Sequence, residues 1–249
     1  MRLYSNLIVT GLVAASATAY DEVVSSLRTR IIRPELMDDA PEADVVPCLR
    51  DLVRINRRLG GHGVLLRMLD SVVRPADEFT LLDVGAATGD TAAAIAGSFP
   101  GASVISLDRD LFHISRGRGT RVCADGFRLP FRSRAVDFVF CSLFLHHFED
   151  ERVVEFFREA ARVAGRAVLV SDLERRLAPF MFLPATRWLF RWCDLTIHDG
   201  RISVAAGFRS GELLRLANRA GLGEARERIH RPAFRVSLVA PVNGAMASQ

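Results

Sequence analysis

The pattern of apolar positions changes character near residue 80. Before it, Leu49, Leu52, Val53 and Ile55 give one apolar side to a helix predicted over 46–59, which Gly60-Gly61 ends. A second helix is expected over 64–73, stopping before Pro75. After residue 80, short apolar runs alternate with helical stretches. The run 81–84 leads to an alanine-rich helix over 88–98, and 103–107 to a short helix near 111–115. The run 120–124 enters a loop with Pro130, 136–142 precedes a helix over 150–163, and 167–171 closes the series. Such alternation predicts βαβ units and a parallel sheet covered on both faces. The ending differs: 224–230 and 234–240 flank Arg231-Pro232-Ala233 and read as a hairpin. The fold class expected is α/β, doubly wound, mostly parallel, with an antiparallel C-terminal hairpin.

Between the last parallel run and the hairpin, Leu177, Met181, Pro184, Trp188, Trp192 and Leu195 recur at helical spacing. Pro184 is expected to break this segment into two helical pieces. The stripe reads either as a core-facing surface or as an apolar lid over a substrate, with peripheral membrane contact a further alternative. The polar run His198-Asp199-Gly200-Arg201 follows. It is either an ordinary surface turn or a cap in which His198 and Arg201 contact substrate oxygens. The expected organisation is an N-terminal extension (1–32), a helical cap (33–76), the main domain (77–241) with an insertion or lid (174–208), and a tail (242–249).

Composition narrows the chemistry. About half of the 249 residues are hydrophobic, as in a globular domain. The sequence contains no lysine, so all 33 basic residues are arginine. That excludes a P-loop lysine and a Schiff base. The only tyrosines, Tyr4 and Tyr20, precede the domain, so a Tyr-x-x-x-Lys dehydrogenase is excluded as well. The net charge is only +4 and acids are interspersed with the arginines, so no nucleic-acid partner is expected. Cys48, Cys123, Cys141 and Cys193 form no C-x-x-C pair, and no metal site is expected. The apolar run 7–19 after Met1-Arg2 has the form of a short secretory signal and is too short to span a bilayer. The reading adopted is an N-terminal helix, or a start codon placed too early, and the location expected is cytoplasmic. The oligomeric state is not legible.

Three features carry candidate chemistry. The first is Asp83-Val84-Gly85-Ala86-Ala87-Thr88-Gly89-Asp90, where a strand gives way to a helix. Gly85 permits backbone geometry that a side chain hinders, and Gly89 lets the helix start close to a ligand. The spacing is not G-x-G-x-x-G, which fits a dinucleotide less well. The second is Asp108, an acid about 20 residues beyond the turn, placed to accept hydrogen bonds from a ribose, or else to cap the next helix as Asp110 can. The third is Cys123-Ala124-Asp125-Gly126, where Asp125 either accepts from an adenine amine or makes an Asp-Gly turn.

Together these features resemble class I S-adenosylmethionine-dependent methyltransferases over residues 79–240. The run 137–147 is similar to their fourth strand and the loop after it. The resemblance implies a seven-stranded Rossmann-like sheet and S-adenosylmethionine as cofactor. It implies that Asp83 orients the glycine loop and that the backbone of Gly85, Ala86, Ala87 and Gly89 approaches the methionine part. Asp108 would hold the ribose with Arg109 beside the adenine. Asp125 and Gly126 would meet the adenine amine, and Ser142 and Leu143 would line the sulfonium side. Ala87 departs from the usual glycine. The loop Ser142-Leu143-Phe144-Leu145-His146-His147 lacks the Asn/Asp-Pro-Pro-Tyr/Phe of base and amide methylases. It is closer to small-molecule enzymes of the ubiquinone/menaquinone type. Arg33-Pro34-Glu35-Leu36-Met37-Asp38 and Arg54-Ile55-Asn56-Arg57 resemble a bacterial subgroup found beside polyketide-type genes. The acceptor implied is a phenolic, quinone-like or polyketide-derived small molecule, methylated on oxygen or carbon. His147 is the first candidate for a general base, with His146 expected to diverge from it. A nucleotide-cofactor oxidoreductase and a non-catalytic S-adenosylmethionine-binding protein are the alternatives.

Overall fold

The computed structural model describes residues 27–242, so the signal-like run 7–19 and the tail beyond residue 242 lie outside the described residues. Strands β1 (Phe79–Val84), β2 (Ala102–Asp108), β3 (Thr120–Cys123), β4 (Val136–Ser142) and β5 (Ala164–Leu173) pair in parallel, in the order β3-β2-β1-β4-β5. Strands β6 (Arg226–His230) and β7 (Arg235–Pro241) form the hairpin, and β7 joins β5 antiparallel, which completes a seven-stranded sheet. The expected sheet and its terminal hairpin are both present.

The period of two along the strands divides the core. Leu81, Phe138, Phe140 and Leu169 point to one face, and Leu82, Val139, Val168 and Val170 to the other. The first face is covered by α2 (Gly61–Asp70) through Val64, Leu65, Met68 and Leu69, and by Ile95 of α3 (Asp90–Ala96). On the second face lie Val153, Phe156 and Phe157 of α5 (Asp150–Val163), with Leu213 and Leu216 of α8 (Glu212–Arg219). A short helix, α4 (Leu111–Ser115), follows β2, and Asp110 caps it by accepting from the amides of Phe112 and His113.

Three further helices and one strap stand over the carboxyl edge of the sheet, where open α/β sheets bind ligands. Helix α1 (Glu42–Arg58) starts earlier than its apolar periodicity suggests and tolerates Pro47 within its first turns. Helix α6 (Leu177–Phe190) corrects the expected break: it runs unbroken through Pro184. The Thr186 hydroxyl donates to the Phe182 carbonyl at 2.7 Å, which ties down the turn around the proline. The apolar stripe read along α6 is not one buried face either. Trp188 is 80% exposed and Met181 44%, whereas Phe180 and Trp192 are buried. Helix α7 (Asp194–Ala206) includes His198-Asp199-Gly200-Arg201, so that run is helical and not a turn.

The strap is the segment from Leu27 to Asp39. Arg30 anchors it, donating to Asp150 at 2.8 Å and to the Leu145 carbonyl at 3.1 Å while its guanidinium lies over the Phe208 ring. Asp199 of α7 holds the next turn by accepting from the amides of Leu36 and Met37, each at 3.0 Å.

Candidate active site

The turn after β1 is built from backbone. Gly85 and Ala86 both donate to the Leu107 carbonyl, and Gly89 closes the turn onto the Ala86 carbonyl. Three residues of the loop have positive φ: Gly85 at 72°, Ala87 at 44° and Gly89 at 69°. At Gly85 a Cβ would lie 2.6 Å from Phe144 Cδ2, so both conformation and space require glycine. Ala87 bears the left-handed conformation with a side chain, at a cost of about 1–2 kcal/mol. Its amide is held at 2.8 Å by Asp108 Oδ2.

Asp108 therefore has a structural task besides any ligand, since its other oxygen accepts from Asp110 N at 2.9 Å. A carboxylate offers about four acceptor sites, so two remain for a diol. Asp125 Oδ1 accepts from Phe127 N at 2.9 Å, forming the turn its neighbour Gly126 suggests. A Cβ on Gly126 would lie 2.8 Å from Val84 Cγ1. Asp83 is buried, and its Oδ2 has no hydrogen-bond partner. Burial pushes its carboxyl up to about 8, the charges of Asp90 and Asp108 add to this, and a hydrogen bond with Thr91 opposes it.

These residues open onto one cavity of about 940 Å³. Asp83, Gly85, Ala86, Ala87, Asp108 and Arg109 line it, as do Asp125, Gly126, Ser142, Leu143, His146 and His147. Gly89 does not; it lies behind the loop as the cap of α3, where its Cβ would meet the Ser106 hydroxyl at 3.1 Å. His198 and Arg201 are not brought to the cavity. On α7 the wall is made by Thr196, Asp199, Gly200, Ser203 and Val204, a spacing of three and four that marks one helical face. His198 and Arg201 fall off that face. The first is exposed and pairs with Asp199, and the second stacks over Phe180.

An orphaned carboxylate oxygen, two further carboxylates with free acceptor capacity and a turn whose Gly85 has no room for a Cβ fit S-adenosylmethionine well. The cofactor presents an ammonium, a ribose diol and an exocyclic amine, all hydrogen-bond donors.

The loop after β4 holds a second cluster. His146 and His147 do not diverge: their rings lie tilted at 32° to each other with centroids 4.2 Å apart, and both reach the cavity. Asp172, at the end of β5, organises the turn. Its Oδ2 accepts from the amides of Phe144, Leu145 and His146, and its Oδ1 lies 2.7 Å from His146 Nδ1. On the far side, His146 Nε2 lies 3.7 Å from Glu35 Oε1 of the strap. Burial disfavours a charged His146, but Asp172, by charge and hydrogen bond, and Glu35 outweigh it and raise the imidazole to about 9. Asp172 meets the same opposition from burial, and His146, the Leu173 amide and Arg235 hold it down at about 2. His147 moves the other way. Burial and the neighbouring His146 charge lower it to about 4 against the pull of Glu35 and Asp172. Glu35, in turn, is lowered despite burial by His146, His147 and a hydrogen bond from Ser203. The ligand atoms of Glu35, His146 and His147 lie within 4.8 Å of one another.

Glu35, Asp172 and Asp199 were not singled out as site residues. Glu35 lies inside the motif Arg33–Asp38, which carries only a resemblance; Asp199 lies inside the polar run 198–201, where His198 and Arg201 are the expected contacts; Asp172 carries no local signal.

Residues 82–167 match the family described as "Methyltransferase domain". A curated relative, the biotin biosynthesis bifunctional protein BioHC of Cellvibrio japonicus, is 35% identical over 112 residues, which is 41% of this chain and 22% of that protein. The chain thus spans less than a quarter of that relative's length. Among solved structures, a candidate O-methyltransferase of Nostoc punctiforme PCC 73102 superposes with a TM-score of 0.60 at 15% identity, covering 90% of this chain and 68% of that one. The plantazolicin methyltransferase BpumL, solved in complex with S-adenosylhomocysteine, superposes with a TM-score of 0.60 at 12% identity, covering 80% and 88%. At such identities the two structures speak for the fold alone, and the family match for similarity to a methyltransferase domain over residues 82–167.

Proposed function

We propose that the chain methylates a small apolar acceptor, phenolic, quinone-like or polyketide-derived, on oxygen or carbon. The observation that carries this reading is the continuity of the cavity. The glycine loop and Asp108 line it together with Leu49, Leu52 and Val53 of α1 and Phe182 and Leu183 of α6. Methyl donor and apolar acceptor would thus share one chamber, as in-line transfer requires. When bound, the cofactor supplies an electrophilic methyl on a sulfonium.

The chain's residues then have separate tasks. Asp83 offers its orphaned oxygen to the aminoacyl end, and the amides of the Gly85–Gly89 turn follow the methionine chain. Asp108 takes the ribose diol, Arg109 lies beside the adenine, and Asp125 with Gly126 receives its amine. Ser142 and Leu143 line the sulfonium side. His147 gives its lone pair to the acceptor end, to a hydroxyl proton where no other electrophile is present. Phe182 and Leu183 exclude water from above. Thr196, Asp199 and Ser203 are the polar groups that α7 would offer to an acceptor, since His198 and Arg201 do not line the cavity.

Among the described residues no helix is long and apolar enough to cross a membrane. We place the chain in the cytoplasm, where its methyl donor is made; a mature N-terminus beginning after Ala19, read by mass spectrometry, would overturn that. The activity is tested by transfer of labelled methyl from S-adenosylmethionine across a panel of phenols and hydroxyquinones. Product from at least one class is expected. Cofactor binding with no transfer across the panel would favour the non-catalytic binding protein, and calorimetric binding of NAD in place of S-adenosylmethionine would favour the oxidoreductase.

A further inference from the structure

We propose that Glu35, His146 and His147 hold a divalent transition-metal ion, zinc by their chemistry, with a coordination position left open to the acceptor. This rests on the reading of the cavity as the acceptor chamber and adds to it a site that the methyl donor does not use.

The donor set comes first. Two imidazoles and one carboxylate within 4.8 Å of one another form a nitrogen and oxygen set that suits zinc or iron. Calcium and magnesium prefer oxygen ligands throughout. Three protein ligands are also the number found in catalytic zinc sites, where the fourth position takes water or substrate.

Distance and burial agree with this. His146 is 3% exposed, and its Nε2 has no hydrogen-bond partner. That atom stands 3.7 Å from Glu35 Oε1. Two ligands on one tetrahedral zinc stand about 3.4 Å apart, so the pair needs only a small adjustment.

The surroundings complete the case. Metal-ligating histidines characteristically give their second ring nitrogen to a carboxylate, which fixes the tautomer and the ring plane. His146 Nδ1 lies 2.7 Å from Asp172 Oδ1, and Asp172 is itself pinned by three loop amides. The ring is thereby held with Nε2 directed toward Glu35. Loading exchanges any proton on that nitrogen for the ion. Glu35 belongs to the strap and the histidines to the loop after β4, so an ion would join two segments that the sheet does not connect. His147 would then give its lone pair to the ion, and the acceptor's oxygen would meet the ion in place of the imidazole.

The test uses the full chain stripped with a chelator. Zinc is titrated by calorimetry and cobalt by visible absorption, with S-adenosylhomocysteine titrated into the same preparations. One equivalent of metal is expected, with a rise in melting temperature on zinc addition. Glu35→Gln and His147→Gln should each weaken zinc by at least about tenfold and Asp172→Asn by about 10–100-fold. Unchanged S-adenosylhomocysteine affinity in the first two variants shows that they fold. The proposal is overturned if the stripped protein takes up no zinc, or takes it up equally in Glu35→Gln and His147→Gln. It is overturned as well if Cys48→Ser abolishes uptake, because Cys48 and Cys193 lie with sulfurs 3.1 Å apart and would then be the site. Zinc failure with S-adenosylhomocysteine bound removes only this proposal. Failure of S-adenosylhomocysteine removes the methyltransferase reading and leaves the metal result standing.

Discussion

The wall of the cavity along β1–β3 is mostly backbone, a glycine turn and the carboxylates at three strand ends, and its residues are close in sequence. The opposite wall is made of side chains from the strap, α1, the loop after β4, α6 and α7. The first wall is rigid because the parallel sheet positions it. The second depends on contacts such as Ser203 with Glu35, 168 positions apart. A donor common to many enzymes can be met by a local motif, whereas an acceptor peculiar to one enzyme is met by a surface assembled from distant parts.

Substitutions on the two walls should therefore separate binding from transfer. His147→Ala should lower methyl transfer by about 10²–10⁴-fold and leave S-adenosylhomocysteine affinity unchanged; equal losses in both would dissolve the distinction. Gly85→Val should do the reverse. Its positive φ and the 2.6 Å approach of Phe144 leave no room for a branched side chain. Strain and overpacking together should weaken S-adenosylhomocysteine by roughly 100-fold or more in calorimetry. Asp108→Asn keeps the size of the side chain but weakens its hold on Ala87 N and on a diol. A loss of about 10–100-fold in cofactor affinity is expected, from the 1.5–3 kcal/mol of a charge-assisted hydrogen bond.

A further effect is one of pH and sharpens the picture of the donor wall without cofactor. The Asp83 carboxyl lies at about 8 in the folded chain, against about 3.9 when unfolded. Between those values the folded state keeps a proton that the unfolded state has lost. Its contribution is therefore present at low pH and is lost as pH rises toward 8. Melting temperatures of the cofactor-free protein should fall along this window, and Asp83→Asn should flatten the slope. An identical slope in the variant would assign the dependence to other groups.

The same division explains what was legible beforehand. The alternation of strands and helices and the terminal hairpin follow from runs such as 81–84, 136–142 and 234–240, whose pattern is local, whereas the order of the strands is set by the tertiary fold. The glycine turn, Asp108 and Asp125 were readable because β1, β2 and β3 each end on them. Glu35 and Asp172 were not, since nothing near them in sequence indicates that the fold sets them on either side of His146. His198 and Arg201 were misplaced for a related reason. Taken as a turn, the run leaves His198 and Arg201 free to reach the site; as helix, it sets Asp199 and Gly200 on the cavity wall and turns the other two away. Pro184 misled because a proline costs one helical hydrogen bond, the one to the Phe180 carbonyl, and that single loss does not end a helix that continues on both sides of it.

The grip of Asp199 on the strap sets a tempo. Two amide hydrogen bonds to one carboxylate, about 1.5–3 kcal/mol each, are far weaker than the sheet beneath them. The roof can swing while the floor stays folded, a local opening well below the global stability. A molecule leaving the chamber past the strap would have to break this latch, the kind of opening step that limits turnover in many enzymes.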